Sequence, residues 1–218
     1  MGACLGSAET GGGRASADVW FAWCAEHVED VPALTDALLS RDERDHMHGY
    51  RSAEAAVRYV VTRALVRSVL AERLHRAPAD IVLSRTSAGK PVLDDSLHFN
   101  ITHSGDLVLL AVSAAGPVGV DVERRRRVPR VAALEARWLT GQERSDFNRL
   151  RALGIDASDA FLRVWSLKEA RLKALGVGIV GASTAPVQDV EALPLDDLLS
   201  SLTREGEDPQ YVGAIAFA

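Results

Sequence analysis

Two acidic residues, Asp121 and Glu123, stand two positions apart in the segment Val118-Gly-Val-Asp-Val-Glu123. The segment is typical of a β-strand, in which residues two apart project from the same face. Two carboxylates on one face repel each other unless a cation lies between them, and their hard oxygen atoms favour Mg²⁺ or a similar metal. The alternative is an exposed edge strand, whose acid-bearing face is solvated while its valines are buried.

A further carboxylate, Glu169, lies four residues before Lys173 on a predicted long helix from Asp159 to Leu175. At 100° per residue both side chains lie beside the apolar stripe of that helix. In isolation such a pair does no more than support the helix. Lys168 is unusual because it points into the stripe itself, where a lysine must reach solvent or find a partner.

Positive charge is concentrated at several places in the sequence. Arg58 lies in the first predicted long helix, Lys90 in a Gly89-Lys90-Pro91 turn, and His103 where a strand ends. Each of these is ordinary alone, and a single histidine is usually structural or solvated. The run Arg124 to Arg127 directly follows Glu123. It is either a solvated loop or a surface that attracts an acidic protein or phosphates.

The elements that must position these residues repeat along the chain. Segments of the first half return about 100 residues later in the same order, which favours two halves of similar fold. The matches are strands 19–23 and 118–122, capping boxes at Ser40-x-x-Glu43 and Thr140-x-x-Glu143, helices 54–74 and 159–175, and strands 107–112 and 211–217. The split falls near Gly116-Pro117. Residues 1–17 hold five glycines without periodicity and are predicted to be a flexible tail.

The composition excludes several classes of protein. With 47% apolar residues and a net charge of −5 over 218 residues, the chain is not of the disordered type. Its two cysteines form no disulfide framework, so we expect a reducing cytoplasm. We also expect no membrane span, because the sequence has no long apolar run, and no nucleic-acid partner, because it has no basic surplus.

Four blocks together resemble the Sfp-type 4′-phosphopantetheinyl transferases over roughly residues 40–180. The blocks are Gly89-Lys-Pro91, Phe99-Asn-Ile-Thr-His-Ser104, Val118-Gly-Val-Asp-Val-Glu123 and Trp165-Ser-Leu-Lys-Glu-Ala-Arg-Leu-Lys173. The resemblance implies an α+β fold of two similar halves, a pseudo-dimer in which each half is a small antiparallel sheet packed on a long helix. The active site is then at the interface between a first half (18–116), which contacts coenzyme A, and a second (117–218), which carries metal and catalytic residues.

The resemblance also implies roles for single residues. It assigns one Mg²⁺ to Asp121, Glu123 and Glu169, and catalysis to Glu169 and Lys173. Coenzyme A contacts are assigned to Arg58, Gly89, Lys90, Pro91, Thr102, His103 and Lys173. Within that set Arg58 and His103 match the residues that contact the 3′-phosphate. Lys173 matches the residue that contacts the pyrophosphate, and the 89–91 turn matches the segment that lines the adenine. Thr102 replaces the usual serine, and Glu43 and His46 stand nearest to the positions where the family often carries lysines.

The activity implied is transfer of the 4′-phosphopantetheine arm of coenzyme A to a serine of an apo acyl or peptidyl carrier protein, with release of 3′,5′-ADP. Such carriers serve fatty-acid, polyketide or non-ribosomal peptide synthesis, and Arg124 to Arg127 are candidates for docking them. The enzyme is expected to be a cytoplasmic monomer. The alternatives are a metal-dependent phosphohydrolase acting on coenzyme A-like substrates and a non-catalytic coenzyme A or carrier-binding module.

Overall fold

The computed structural model describes residues 2–9, 15–86, 89–93, 96–178, 187, 190–203 and 210–218. Within them the strands are β1 (Ala3–Glu9), β2 (Ser16–Trp23), β3 (Leu83–Arg85), β4 (Pro91–Leu93), β5 (His98–Ser104), β6 (Leu107–Ser113), β7 (Val118–Arg124), β8 (Glu191–Pro194) and β9 (Tyr211–Phe217). The α-helices are α1 (Val31–Leu38), α2 (Arg41–Met47), α3 (Ala53–Leu74), α4 (Val131–Trp138), α5 (Gly141–Ala152), α6 (Ala157–Leu175) and α7 (Asp196–Ser200). The mixed α and β composition agrees with the prediction.

Two antiparallel sheets have the same internal order. One has the order β1-β2-β6-β5 and the other β7-β9-β8, with β3 and β4 forming a separate ribbon. In each, the opening strand (β2 or β7) pairs with the final strand (β6 or β9), which in turn pairs with the strand before it in the chain. A repeated half would produce this common order.

Each long helix covers one face of a sheet, and the other faces of the two sheets meet. Helix α3 packs its apolar stripe on alternate residues of β6, among them Val108 and Leu110. The intervening residues of β6, such as Leu109, share one core with Val120 of β7 and Ile215 of β9. This alternation follows from the two-residue period of a strand, and it places the sheets between the two long helices.

The approach of α6 to β7 depends on a glycine. A Cβ atom added to Gly119 would lie 2.1 Å from the carbonyl oxygen of Ala170 and 2.3 Å from the backbone nitrogen of Ala174. These distances are shorter than any non-bonded contact, so only glycine fits there. The helix is thereby brought directly over the acid-bearing face of β7.

Side chains of β5 accept hydrogen bonds from the backbone of β7 and so connect the two sheets. The backbone N–H groups of Val120 and Arg124 donate to Asn100 Oδ1 and to Ser104 Oγ, each at 2.9 Å. The N–H of Val122 donates to Thr102 Oγ1 at 3.4 Å. Alternate polar residues of β5 therefore satisfy alternate donors of β7, which would otherwise be buried without partners.

Both predicted capping boxes are present, and their glutamates reach the long helices. Ser40 with Glu43 and Thr140 with Glu143 form the reciprocal hydrogen bonds. Glu43 also accepts from Arg67 Nε at 2.7 Å on α3, and Glu143 accepts from Lys168 Nζ at 2.9 Å on α6. Lys168 is thus buried with a partner, as its position on the helical wheel requires.

The N-terminal segment differs from the expected tail. Ala3–Glu9 pairs antiparallel with β2, whose own first residue is Ser16. Because this segment is rich in small residues, it lacks the apolar alternation that signals a strand, yet it fits against the edge of β2. Among the described residues, no helix has the length and apolarity needed to cross a bilayer.

Candidate active site

A cavity of about 510 Å³ opens where α3, β5 and the C-terminal end of α6 meet. Its wall comes from both halves of the chain. The lining residues are Tyr50, Ala55, Arg58, Tyr59, Thr62, Arg63, Gly89, Lys90, Pro91, Asn100, Ile101, His103, Glu169, Lys173, Gly176, Val177 and Gly178. Most of the residues expected in the site from the sequence are therefore brought together.

One wall is a single face of α3. The residues Ala55, Arg58, Tyr59, Thr62 and Arg63 follow the i, i+3, i+4, i+7, i+8 spacing of one helical face. Sequence reasoning found only Arg58 among them, although this spacing was available as a signal. The guanidinium carbon of Arg63 lies 5.4 Å from the centre of the Tyr59 ring, a cation–π contact that holds both side chains in place.

Asp121 lies behind the cavity wall and is only 6% exposed. Helix α6 covers the acid-bearing face of β7, so the alternative of a solvated face is wrong. Oδ1 of Asp121 accepts from Lys173 Nζ at 2.6 Å and from Thr102 Oγ1 at 3.3 Å. Oδ2 is buried without a hydrogen-bond partner among the described residues. Burial, opposed by Lys173, raises the pKa of Asp121 to about 6.

Glu169 is a second carboxylate with a buried oxygen atom, Oε1, that lacks a hydrogen-bond partner among the described residues. Burial raises the pKa of Glu169, Lys173 opposes this, and the charge of Glu123 adds to the increase. Glu123 also adds to the increase in the pKa of Asp121. The three carboxyl groups are therefore close enough to repel one another.

These carboxylates fit a divalent cation by their chemistry. Two buried oxygen atoms, Asp121 Oδ2 and Glu169 Oε1, have no hydrogen-bond partner among the described residues, and Mg²⁺ takes hard oxygen ligands of this kind. In the described ranges, however, no group of three His, Cys, Asp or Glu side chains is already arranged around a metal position. Of the three carboxylates, Glu123 has its Oε2 engaged by Arg126 Nη1 at 2.6 Å.

Basic side chains also line the cavity. Among them are Arg58, His103 and Lys173. Partial burial lowers the pKa of His103, and the charges of Arg58 and Lys173 lower it further. Like charges of this kind accumulate where a ligand supplies the compensating negative charge. The cavity is therefore suited to a polyanion beside a carboxylate cluster.

Thr102 lies behind the cavity and does not line it. The residue is buried, and its hydroxyl oxygen accepts from Lys173 Nζ at 3.3 Å in addition to its contact with Asp121. Lys173 Nζ also donates to the carbonyl oxygen of Val120 at 3.2 Å. In this structure Thr102 therefore orients Lys173 and Asp121. Glu43, which stands near the lysine positions of the resembling family, is occupied by its capping box and by Arg67.

Lys90 lines the cavity, but its ammonium group is directed at the backbone. Nζ donates to the carbonyl oxygen of Lys173 at 2.6 Å and to that of Val118 at 3.3 Å. Burial lowers the pKa of Lys90, and the charge of Lys173 contributes. The side chain thus joins the 89–91 turn of the first half to α6 and β7 of the second.

We expect Lys90→Met to lower the free energy of unfolding by about 1–3 kcal/mol, because two carbonyl acceptors lose a charged donor. Urea denaturation of the variant and the parent protein measures the change. Arg85→Met is the matched control, since Arg85 lies on the same ribbon, is exposed, and donates only to the Gly89 carbonyl in the described contacts. Equal stability of the two variants would show that Lys90 does not join the halves.

The four consecutive arginines have different environments. Arg125 Nη1 binds Asp159 Oδ2 at 3.0 Å, and Arg126 binds Glu123. Arg124 and Arg127 have exposed side chains. The run is therefore partly structural, and only some of its members are available to a partner.

Comparison with known proteins adds independent information. A family model described as the 4′-phosphopantetheinyl transferase superfamily matches residues 117–213, and one described as 4′-phosphopantetheinyl transferase, N-terminal, matches residues 26–115. The chain is 32% identical over 177 residues to the 4′-phosphopantetheinyl transferase ffp of Bacillus subtilis, covering 79% of this chain and 71% of that protein. It is 33% identical over 160 residues to a phosphopantetheinyl transferase of Thraustochytrium sp., covering 67% of this chain and 56% of the relative. The chain thus spans little more than half the length of some relatives.

Proposed function

Because the chain belongs to the 4′-phosphopantetheinyl transferase superfamily, we propose that it transfers the 4′-phosphopantetheine arm of coenzyme A to a serine hydroxyl of an apo acyl or peptidyl carrier protein. The observation that carries this proposal is one cavity lined by Arg58, His103 and Lys173 together with Glu169, whose buried Oε1 has no hydrogen-bond partner among the described residues. Coenzyme A carries several closely spaced phosphate charges, and such a ligand needs cationic side chains and a metal ion together. Incubation with coenzyme A, Mg²⁺ and an apo carrier tests the proposal, since the carrier must gain mass and 3′,5′-ADP must be released.

The two halves are proposed to form a pseudo-dimer with the active site between them. The common strand order and the repeated capping-box contacts to the long helix support this. So does a cavity to which α3 contributes Arg58 and α6 contributes Glu169. We place the boundary between residues 116 and 117, and we propose that one chain, as a monomer, supplies the complete site.

Each phosphate of coenzyme A is assigned to a different part of the cavity. Arg58 and His103 hold the 3′-phosphate, and Lys173 contacts the pyrophosphate. The Gly89-Lys90-Pro91 turn lines the adenine. Arg58 offers a planar set of donors to the phosphate oxygens, which makes it the stronger of the two 3′-phosphate contacts.

Arg58→Ala is expected to weaken coenzyme A binding about 10- to 100-fold, the equivalent of one charge-assisted hydrogen bond or two. Binding of 3′-dephospho-coenzyme A should be nearly unchanged, because the group that Arg58 contacts is missing. Calorimetric titration of both ligands into the parent and variant proteins separates these effects. Equal losses for the two ligands would place Arg58 elsewhere on the substrate.

Asp121, Glu123 and Glu169 are proposed to hold one Mg²⁺, which when bound neutralises charge on the pyrophosphate. The side chains supply the rest of the catalysis. The serine oxygen of the carrier forms a bond to the phosphorus that bears pantetheine, and the bond from that phosphorus to the oxygen of 3′,5′-ADP breaks. Glu169 accepts the serine proton, and Lys173 offsets the charge that develops on the leaving phosphate.

Metal binding should weaken as the pH falls through about 6, the raised pKa of Asp121. Below that pH the Asp121 carboxyl group is protonated, so a proton must leave before a cation can bind. The affinity is expected to fall by up to about tenfold per pH unit below the pKa and to level off above it. Titration with Mn²⁺ on both sides of this pH measures the dependence, and a constant affinity across the interval would contradict it.

A further inference from the structure

Glu123 differs from the other two proposed metal ligands in that its counter-ion, Arg126, is largely exposed, whereas the counter-ion of Asp121 is the less exposed Lys173. Arg126 Nη1 donates to Glu123 Oε2 at 2.6 Å and to the carbonyl oxygen of Arg124 at 3.1 Å. Ser104 Oγ adds a longer contact to the same carboxylate oxygen, at 3.4 Å. Asp121 and Glu169, in contrast, each keep a buried oxygen without a partner among the described residues. Asp121 and Glu123 thus each have a counter-ion before any cation arrives, and that of Glu123 is the more exposed of the two.

Residues on both sides of Arg126 are attached to the start of α6, Arg125 through its side chain and Val128 through its backbone. Arg125 Nη1 binds Asp159 Oδ2 at 3.0 Å, and the N–H of Val128 donates to Ser158 Oγ, also at 3.0 Å. Between these two attachments the Arg126 side chain is 53% exposed, whereas that of Glu123 is 18% exposed. The guanidinium is therefore kept within reach of Glu123 while its side chain remains free to swing into solvent.

We propose that Arg126 competes with the divalent cation for Glu123 and that an acidic protein surface releases it; this inference rests on the proposed function. A cation that takes Glu123 Oε2 must displace the guanidinium, because two positive charges repel each other at one oxygen atom. Anything that draws Arg126 away then strengthens cation binding, and cation binding frees Arg126 in return.

The partner that fits is the carrier protein of the proposed reaction, through an acidic face. Arg124, Arg126 and Arg127 are all exposed at the end of β7, so they offer a cationic surface next to the metal ligands. Arg125 is already paired with Asp159 and is less exposed. When an acidic surface docks on these arginines, Arg126 would leave Glu123 and bind a carboxylate of the carrier instead. Substrate docking and metal binding would then strengthen each other.

The test measures Mn²⁺ affinity by electron paramagnetic resonance on the full chain, without coenzyme A or carrier. We expect Arg126→Ala to bind Mn²⁺ about two- to fivefold more tightly, the range expected for a partly exposed ion pair. Arg126→Lys, which keeps the charge, and Arg127→Ala, which removes an exposed neighbour, should bind as the parent does. Equal affinity of all four proteins would overturn the inference but not the proposed function. If none of them bound Mn²⁺, the proposed metal site would fail as well.

A second experiment tests whether binding of the carrier strengthens metal binding through Arg126. Adding an apo carrier protein with an acidic surface should tighten Mn²⁺ binding by the parent protein about two- to fivefold and leave Arg126→Ala unchanged. If the carrier tightened binding equally in both proteins, its effect would not pass through Arg126 and the coupling would be refuted.

Discussion

Glu169→Gln is expected to bind coenzyme A with most of the parent affinity and to transfer its phosphopantetheine arm about 100- to 10,000-fold more slowly, the range for loss of a general base. Glutamine keeps the size of the side chain, so the cavity wall that Glu169 contributes is preserved. It cannot accept the serine proton. It also removes the charge of a side chain whose buried Oε1 has no partner within the described residues.

Single-turnover transfer and equilibrium binding of coenzyme A, measured on the same protein, separate the two effects. Glu72→Gln is the matched control, because Glu72 is exposed on the other long helix, α3. The control should show parent rates. Equal losses of binding and turnover in Glu169→Gln would count against the role of proton acceptor and leave Glu169 as a ligand only.

Gly119→Ala is expected to lower the free energy of unfolding by about 3 kcal/mol and to abolish most transfer activity. The new methyl group would lie 2.1 Å from the Ala170 carbonyl oxygen, 2.3 Å from the Ala174 nitrogen and 2.9 Å from the Lys173 carbonyl carbon. All of these atoms belong to the backbone of α6, so no side-chain rotation relieves the overlap. The helix and β7 must move apart, and Lys173 then separates from Asp121.

Gly141→Ala provides the control for this substitution. Gly141 begins α5, and nothing lies within 4 Å of a Cβ atom built there. Because alanine favours helix, we expect unchanged or slightly higher stability. Urea denaturation compares the two variants with the parent protein. A Gly119→Ala protein as stable as the parent would show that the close approach of α6 to β7 is not required.

Sequence patterns predicted the capping boxes and the position of Lys168 correctly, because both features depend only on residues a few positions apart in the chain. The two capping boxes use side chains three residues from the helix start, and the position of Lys168 follows from helical periodicity alone. That same periodicity required Lys168 either to reach solvent or to find a partner. The identity of that partner, Glu143, depends on how α5 packs on α6, so it could not be read from the spacing.

The surroundings of Asp121 and Glu123 could not be predicted from the sequence, because they depend on how distant elements pack together. Their alternation with valines suggested a solvated acidic face, but Asp121 is buried because α6 lies over β7 at Gly119. The hydrogen-bond partners of the polar residues of β5 could not be predicted from the sequence either. Asn100 and Thr102 accept hydrogen bonds from a strand of the other half, and no pattern within β5 indicates that neighbour.

The most direct measurement of the central claim is the intact mass of an apo carrier protein after incubation with this protein, coenzyme A and Mg²⁺. The carrier is expected to gain the mass of one phosphopantetheine arm, and 3′,5′-ADP is expected to appear in equal amount. A carrier whose acceptor serine is replaced by alanine should remain unmodified. Release of free phosphopantetheine with no change in the carrier would instead indicate a phosphohydrolase. An unchanged carrier with intact coenzyme A would contradict the account.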